Sequence, residues 1–320
     1  MNWIQILNDY TSFNDNKEII YTPVKGEDIG NLYSEIETER QKALDKYISK
    51  IKCSDFFENG SIEFEMKFEN DSRAFFSLTL NKISFYINSS LSRSAYSIRQ
   101  NEKSNAQVKI LSKSGTIGTV QVNKFFKVKI NVEGSNIQFL INDIIVCEAN
   151  ELIISSQIKV NLRSSDRITI KNFRINKVQL KVFIVMQFTD EYNELYRDVI
   201  KPICESYDYE CIRADEFYQT SLILNDIINS IKEASIIIAD ITPDNPNVFY
   251  EVGYAHALNK PLILLSDKKR QKLPFDVSGF RTLFYDNTIG GKSKVEETLK
   301  KYLDIQNTKN ATSNSVNVGY

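Results

Sequence analysis

Between about Ser54 and Asn176 apolar residues fall on every second position, and from Lys181 onward they stop doing so. Ile62, Phe64, Met66 and Phe68 alternate with polar residues, and the alternation recurs in Phe126, Val128, Ile130 and Val132, in Ile158, Val160 and Leu162, and in Ile168 and Ile170. A strand turns successive side chains to opposite faces, so each run offers one face to a core and one to water, as antiparallel sheets do. Asn70-Asp71-Ser72, Glu133-Gly134-Ser135-Asn136 and Asn142-Asp143 supply turn residues between the runs. About ten short strands of this kind bury their apolar faces against one another, which predicts an antiparallel β-sandwich of jelly-roll type over residues 53–178. Ahead of it, residues 1–52 read as an irregular start followed by an amphipathic helix from Leu32 to Ile51. Its stripe of Leu32, Ile36, Ala43, Leu44, Tyr47, Ile48 and Ile51 either packs on the neighbouring domain or makes an oligomer contact.

Lys181 opens a different pattern, in which short apolar runs alternate with amphipathic helices, the signature of a parallel sheet covered on both faces. Strands are predicted at 182–186, 210–214, 235–238, 261–265 and 281–285. Helices are predicted at about 191–205, with Pro202 as a late kink, at 220–233, from about 247, and at 292–303. This α/β domain spans 179–305, and the polar residues 306–320 read as a disordered tail.

The chemistry concentrates between Ala239 and Leu258. Asp240 closes an apolar run at a strand's carboxyl end, the edge where open α/β sheets form their ligand crevice. Pro246 fits the first position of a helix, with Asp244 or Asn245 as its N-cap. Glu251 then lies about one turn inside, where the helix dipole favours an ionised carboxylate. Tyr254 and Ala255 share its face, and Gly253 would admit a closely packed neighbour. Phe188 follows the first strand, and Asp215, with Arg213 beside it, follows the second. His256, five residues beyond Glu251, is turned roughly 140° around the helix and reads as structural. Lys268, Lys269, Arg270 and Lys272 form either a solvated loop or a cradle for a pyrophosphate. There is no GxGxxG, and Gly290-Gly291-Lys292-Ser293 has Asp286 where a P-loop needs glycine.

Three segments carry a resemblance: Val182-Phe183-Ile184-Val185-Met186-Gln187-Phe188, Arg213-Ala214-Asp215, and Asn245-Pro246-Asn247-Val248-Phe249-Tyr250-Glu251-Val252-Gly253-Tyr254-Ala255. Over residues 180–304 the chain resembles nucleoside 2-deoxyribosyltransferase-like proteins, structural relatives of the TIR domains that cleave NAD. The resemblance implies a flavodoxin-like, doubly wound sheet of order 2-1-3-4-5 and chemistry at an N-glycosidic bond. Glu251 matches the family's catalytic glutamate, and Asp240 and Asn247 match positions that hold the sugar or place that glutamate. Phe188, Asp215, Asn245, Tyr250 and Tyr254 are then candidate substrate contacts. NAD enters as a substrate, with no cofactor and no metal. Relatives that cleave NAD act in antiphage defence and are triggered by assembly or a nucleotide signal, so a homo-oligomer and a protein or ligand trigger on the sandwich are expected. The sandwich is similar, in pattern only, to concanavalin and laminin-G jelly rolls. Two other readings stand beside this one: deoxyribosyl transfer or release of a base from a nucleoside or nucleotide, and a nucleotide-binding sensor without turnover.

Composition sets the remaining bounds. With 320 residues, 42% of them hydrophobic, there is material for two cores. A net charge of −1 gives no field that would draw nucleic acid. No stretch has the ~18 apolar residues of a membrane span, so a cytoplasmic protein is expected. Cys53, Cys147, Cys204 and Cys211 lack the spacing of a zinc site or a disulfide framework.

Overall fold

The computed structural model describes residues 1–23, 48–70, 74–89, 94–101, 108–116, 118–216, 223–270, 273, 277, 279 and 282–312. Contacts divide the chain into two compact units, one of residues 1–132, 137–149 and 153–177 and the other of 133–136, 150–152 and 178–320.

The first unit is the predicted sandwich, built from two antiparallel sheets. One runs in the order β1 (Trp3–Leu7), β4 (Ser49–Phe57), β13 (Ser156–Arg163), β6 (Phe75–Leu80), β7 (Ile83–Asn88), β8 (Tyr96–Asn101), β9 (Val108–Ser114). The other runs β12 (Ile144–Asn150), β11 (Asn136–Ile141), β10 (Phe126–Glu133), β5 (Gly60–Phe68), β14 (Ile168–Lys177), β3 (Ile19–Tyr21), β2 (Thr11–Phe13). The period-two pattern sets the register. Val128 lies opposite Phe64 and Ile130 opposite Ile62 in the β5–β10 pair, so the apolar positions of adjacent strands reach the same face. Rings from the two sheets then meet: Phe64 and Phe76 have centroids 5.4 Å apart, and Phe85 and Phe139 5.6 Å apart.

The start of the chain departs from the reading above. β1, β2 and β3 belong to the sheets, so the sandwich draws on residues ahead of 53. Each has only three to five residues, too few for a period to register. The predicted helix lies mostly outside the described residues, but its last positions, Ser49 to Ile51, are strand. There Ser49, Ile51 and Cys53 are buried in alternation with half-buried Lys50 and Lys52.

The second unit holds a five-stranded sheet in the order β16 (Tyr209–Arg213), β15 (Leu180–Val185), β17 (Ile236–Asp240), β18 (Leu262–Asp267), β19 (Thr282–Tyr285), all pairs parallel. This is the predicted 2-1-3-4-5 order. Because both faces are covered, β15 alternates between two cores. Val182 and Ile184 join Leu195, Ile203 and Leu299 on one side, while Phe183 and Val185 join Ile231, Val248 and Val252 on the other. The helices are α1 (Asp190–Leu195), α2 (Lys201–Ser206), α3 (Ile223–Glu233), α4 (Pro246–Ala257) and α5 (Ile289–Thr312). Between α1 and α2 the backbone winds as a π-helix over Tyr196–Ile200. Pro202 has no N–H to return to the carbonyl four residues back, so the predicted kink is taken up as a wide turn just ahead of it. α5 continues past Leu303 to Thr312, since no glycine or proline stops it; residues 313–320 lie outside the described residues.

Candidate functional site

The parallel sheet reverses direction of winding at β15, between β16 and β17, so chain segments leaving these strands diverge and open a crevice at their carboxyl ends. A cavity of about 630 Å³ occupies that place. Gln187 and Phe188 reach it from the end of β15, Asp215 from the end of β16, Leu224 and Asp226 from α3, and Asn245, Asn247, Tyr250 and Glu251 from the start of α4. Six of the eight residues singled out from the sequence therefore line one cavity: Phe188, Asp215, Asn245, Asn247, Tyr250 and Glu251.

The helix that carries Glu251 is set by its cap. Asn245 has extended backbone geometry, its side-chain oxygen accepts from the Asn247 N–H at 3.0 Å, and Pro246 takes the first helical position. Val248 and Val252 turn to the core, which leaves Asn247, Tyr250 and Glu251 toward the cavity. The loop before the cap is tied down by Arg270, which donates to the Ile241 carbonyl and pairs with Asp244.

Glu251 is half-buried, and among the described residues no donor or cation pairs with it. Burial pushes its carboxyl up to about 7. This reverses the expectation that the helix dipole would favour the ionised form. The dipole acts within the first turn, and Glu251 lies beyond it, where desolvation dominates.

Asp215 is held differently. Arg213 is buried among core residues and donates from Nε and Nη2 to the two carboxylate oxygens at 2.6 and 2.5 Å. Its Nη1 donates to Asn193 at 2.9 Å, and its guanidinium lies 4.1 Å from the centroid of the Tyr196 ring and 5.3 Å from that of Phe188. One buried cation thereby positions an acid and an aromatic ring of the cavity. Phe188 and Tyr250, 48% and 52% exposed, form open aromatic walls.

Two predicted residues do not reach the cavity. Asp240 is 2% exposed and accepts from the Thr242 N–H at 2.9 Å and from the Tyr285 hydroxyl. Burial raises its carboxyl to about 7, so it is a core acid held by fixed donors. Tyr254 packs against the core between the sheet, α3 and α4. Gly253 faces open space, so it is not there to admit a neighbour. His256 is exposed in the last turn of α4. The basic run serves the scaffold: Lys268 pairs with Asp286, Lys269 with Glu191, and Arg270 with Asp244; Lys272 lies outside the described residues. Sequence reasoning missed Asp226, whose only signal was an acid in the first turn of α3, and passed over Gln187, whose only signal was its place in the first segment of the resemblance.

The lining contains Asp215, Asp226 and Glu251 and, among the described residues, no lysine or arginine. It is an acidic, aromatic-walled cavity at the switch point of a doubly wound sheet, in a chain whose other unit is a β-sandwich. Among the described residues no cluster of His, Cys, Asp or Glu is arranged to hold a metal ion, and no helix is long and apolar enough to cross a membrane. The four cysteines are buried and free.

No family model and no curated protein matches the chain. Among solved structures, a carbohydrate binding module from Bacillus subtilis is similar over 53% of this chain and 92% of its own, at 15% identity and a TM-score of 0.37. A beta-glucanase from Bacillus licheniformis is similar over 54% of this chain and 92% of its own, at 11% identity and a TM-score of 0.37. A CMP N-glycosidase from Clostridium botulinum is similar over 38% of this chain and 99% of its own, at 20% identity and a TM-score of 0.31. These likenesses are low, and the description of the fold rests on the strand order and pairing.

Proposed function

We propose that the chain is an N-glycosidase that cleaves the nicotinamide–ribose bond of NAD, with Glu251 stabilising or capturing the ribosyl cation. The observation that carries this is a half-buried carboxylate without a partner inside a cavity at the switch point. Breaking an N-glycosidic bond builds positive charge on the sugar, and an ionised carboxylate in a poorly solvated place lowers the energy of that charge far more than one in water. In this reading Asp215, fixed by Arg213, and the side chains of Asn245 and Asn247 accept from or donate to sugar hydroxyls. Phe188 and Tyr250 offer faces for a planar ring.

The sign of the lining favours NAD among ribosyl substrates. Its nicotinamide ring is cationic until the bond breaks and then departs neutral without a proton, so an acidic cavity attracts the reactive end and no general acid is required. The pyrophosphate has no cation to meet in the described lining, and it therefore lies outside the cavity. Glu251 itself favours a second reading, release or transfer of a neutral base, because burial pushes its carboxyl up to about 7 and the protonated form can supply the proton such a base needs.

The test is chromatography of bases released from NAD, from CMP and from deoxynucleosides, with Glu251→Gln beside the unaltered chain. Nicotinamide release lost in Glu251→Gln is the expected result. Release from CMP or deoxynucleosides alone would replace it with the second reading, and binding of NAD without release from any substrate would make the chain a sensor. A role in antiphage defence, an oligomeric active form and a cytoplasmic site of action are part of the same proposal. Phage challenge of cells carrying Glu251→Gln, sedimentation of the purified chain and cell fractionation test them in turn.

A further inference from the structure

We infer that the sandwich carries a second small-molecule site, which takes a sugar bearing a phosphate, either free or as the ribose phosphate of a nucleotide. A cavity of about 600 Å³ lies in this unit where β1, an edge strand of one sheet, comes near β2 and β14 of the other. Trp3, Phe13 and Phe173 supply its rings, and Lys17, Asn172 and Arg174 its polar groups.

The aromatic part is rigidly backed. Trp3 meets Phe173 edge-on at 5.1 Å, and Phe173 stacks on Phe64 at 5.2 Å with the rings 8° from parallel, so the indole is braced against the core. Phe13 stands 43% exposed on a three-residue edge strand, where burial does not explain a large apolar ring. Such faces take the C–H face of a sugar or the plane of a base.

The charged part is unbalanced. On the neighbouring strands β10 and β14 three lysines meet acids: Lys129 pairs with Glu63 at 2.9 Å, Lys171 with Glu65 at 3.4 Å and Lys127 with Asp143 at 2.9 Å. Lys17 and Arg174 have no ion-pair partner among the described residues, and no acidic side chain is among the residues that line the cavity. Two cations beside rings and amides, with Glu63 opposite Arg174 already paired to Lys129, fit an anion attached to a ring. The backbone is bent to place them. Lys17 has φ of 60° and Asn172 φ of 55°, and β14 shifts register against β5 between Lys171 and Arg174. That bulge sends Phe173 inward while Asn172 and Arg174 stay outside, the device by which strands re-aim side chains. Asn172 donates to Glu65 at 2.7 Å, which leaves its carbonyl oxygen to accept from a sugar hydroxyl. The cavity of the α/β unit has the opposite charge, so this ligand belongs to the sandwich alone.

Trp3 is the chain's one tryptophan, so intrinsic fluorescence reads this cavity directly. The full chain is titrated with ribose 5-phosphate and AMP, and with ribose and adenosine as their uncharged partners, by fluorescence and calorimetry. A saturable change with at least one phosphate at a Kd below about 1 mM, and binding at least about tenfold weaker for its uncharged partner, are expected. AMP binding more tightly than ribose 5-phosphate identifies a nucleotide; equal binding identifies a sugar phosphate. Lys17 and Arg174 are exposed, so the double variant K17Q/R174Q folds, and it is expected to bind at least about tenfold more weakly. Glu251→Gln is expected to bind as the unaltered chain does. The inference is overturned if neither phosphate binds, if the uncharged partners bind as well as the phosphates, or if K17Q/R174Q retains full affinity.

Discussion

Glu251 illustrates how function and stability oppose each other at one residue. Its carboxyl binds a proton up to about pH 7 in the folded chain, whereas in the unfolded chain it loses that proton near the ordinary glutamate value of 4.5. The folded state therefore holds more protons across this window, and stability falls as pH rises through it. Glu251→Gln removes the buried charge, so at pH 8 it is expected to stabilise the chain by about 1–3 kcal/mol, after allowance for the residue's partial exposure, while base release is lost. The ionised form is the one that stabilises a cation, so kcat/KM is expected to rise with pH up to about 7 and then level. A profile that falls through this range would assign Glu251 the role of acid instead. Thermal melts of both proteins at pH 5 and pH 8 check the stability part. Asp240 separates from Glu251 by the same measurements. Asp240→Ala leaves the Thr242 N–H and the Tyr285 hydroxyl without their acceptor and is expected to cost about 1–3 kcal/mol for each. Asp240→Asn keeps an oxygen for Thr242 and should retain kcat, since the residue does not line the cavity.

Two glycines with similar sequence surroundings differ at the scale of elements. Gly253 lies within α4 with nothing near its missing Cβ, so Gly253→Ala is expected to raise stability by about 0.5–1 kcal/mol through helix propensity alone. Gly291 lies in the first turn of α5, where a Cβ would come 1.8 Å from the Asp286 carbonyl oxygen. Gly291→Ala is expected to destabilise by more than the Gly253 substitution gains, and a urea titration of each variant decides both. The glycine that resembled part of a phosphate loop is therefore needed for close packing, and the one two residues after Glu251 is not. Sequence could show that both were glycines in or near a helix start, but it could not show the distance to a carbonyl.

For the whole molecule, the buried clusters are separate: one lies in the sandwich, and the two that flank the parallel sheet lie in the other unit. Phe64 is 1% exposed and in ring contact with Phe76 and Phe173. Phe64→Ala is expected to cost about 3–5 kcal/mol and to lower the melting of the sandwich without moving that of the α/β unit. Calorimetry that showed both units shifting together would mean that their stabilities are coupled.

Local periodicity was enough to reveal the two kinds of architecture, because the alternation of Ile62 to Phe68 and the apolar runs at Val182, Ile236 and Leu262 are local properties of the chain, readable before it is known which strands pair. The cap at Asn245 and Pro246 and the helix carrying Glu251 were legible for the same reason, whereas the strand order of the parallel sheet came from the resemblance. Which of the acids meets solvent was decided only in three dimensions. Asp240 ends a strand as a crevice residue would, yet Tyr285, forty-five positions later, closes over it. Asp226 lies on a predicted helix that happens to form a wall, and Arg213 reaches Phe188, Asn193 and Tyr196, all in the stretch that follows the neighbouring strand. Burial and partnership depend on contacts between residues distant in the chain, and these exist only after the sheet has assembled.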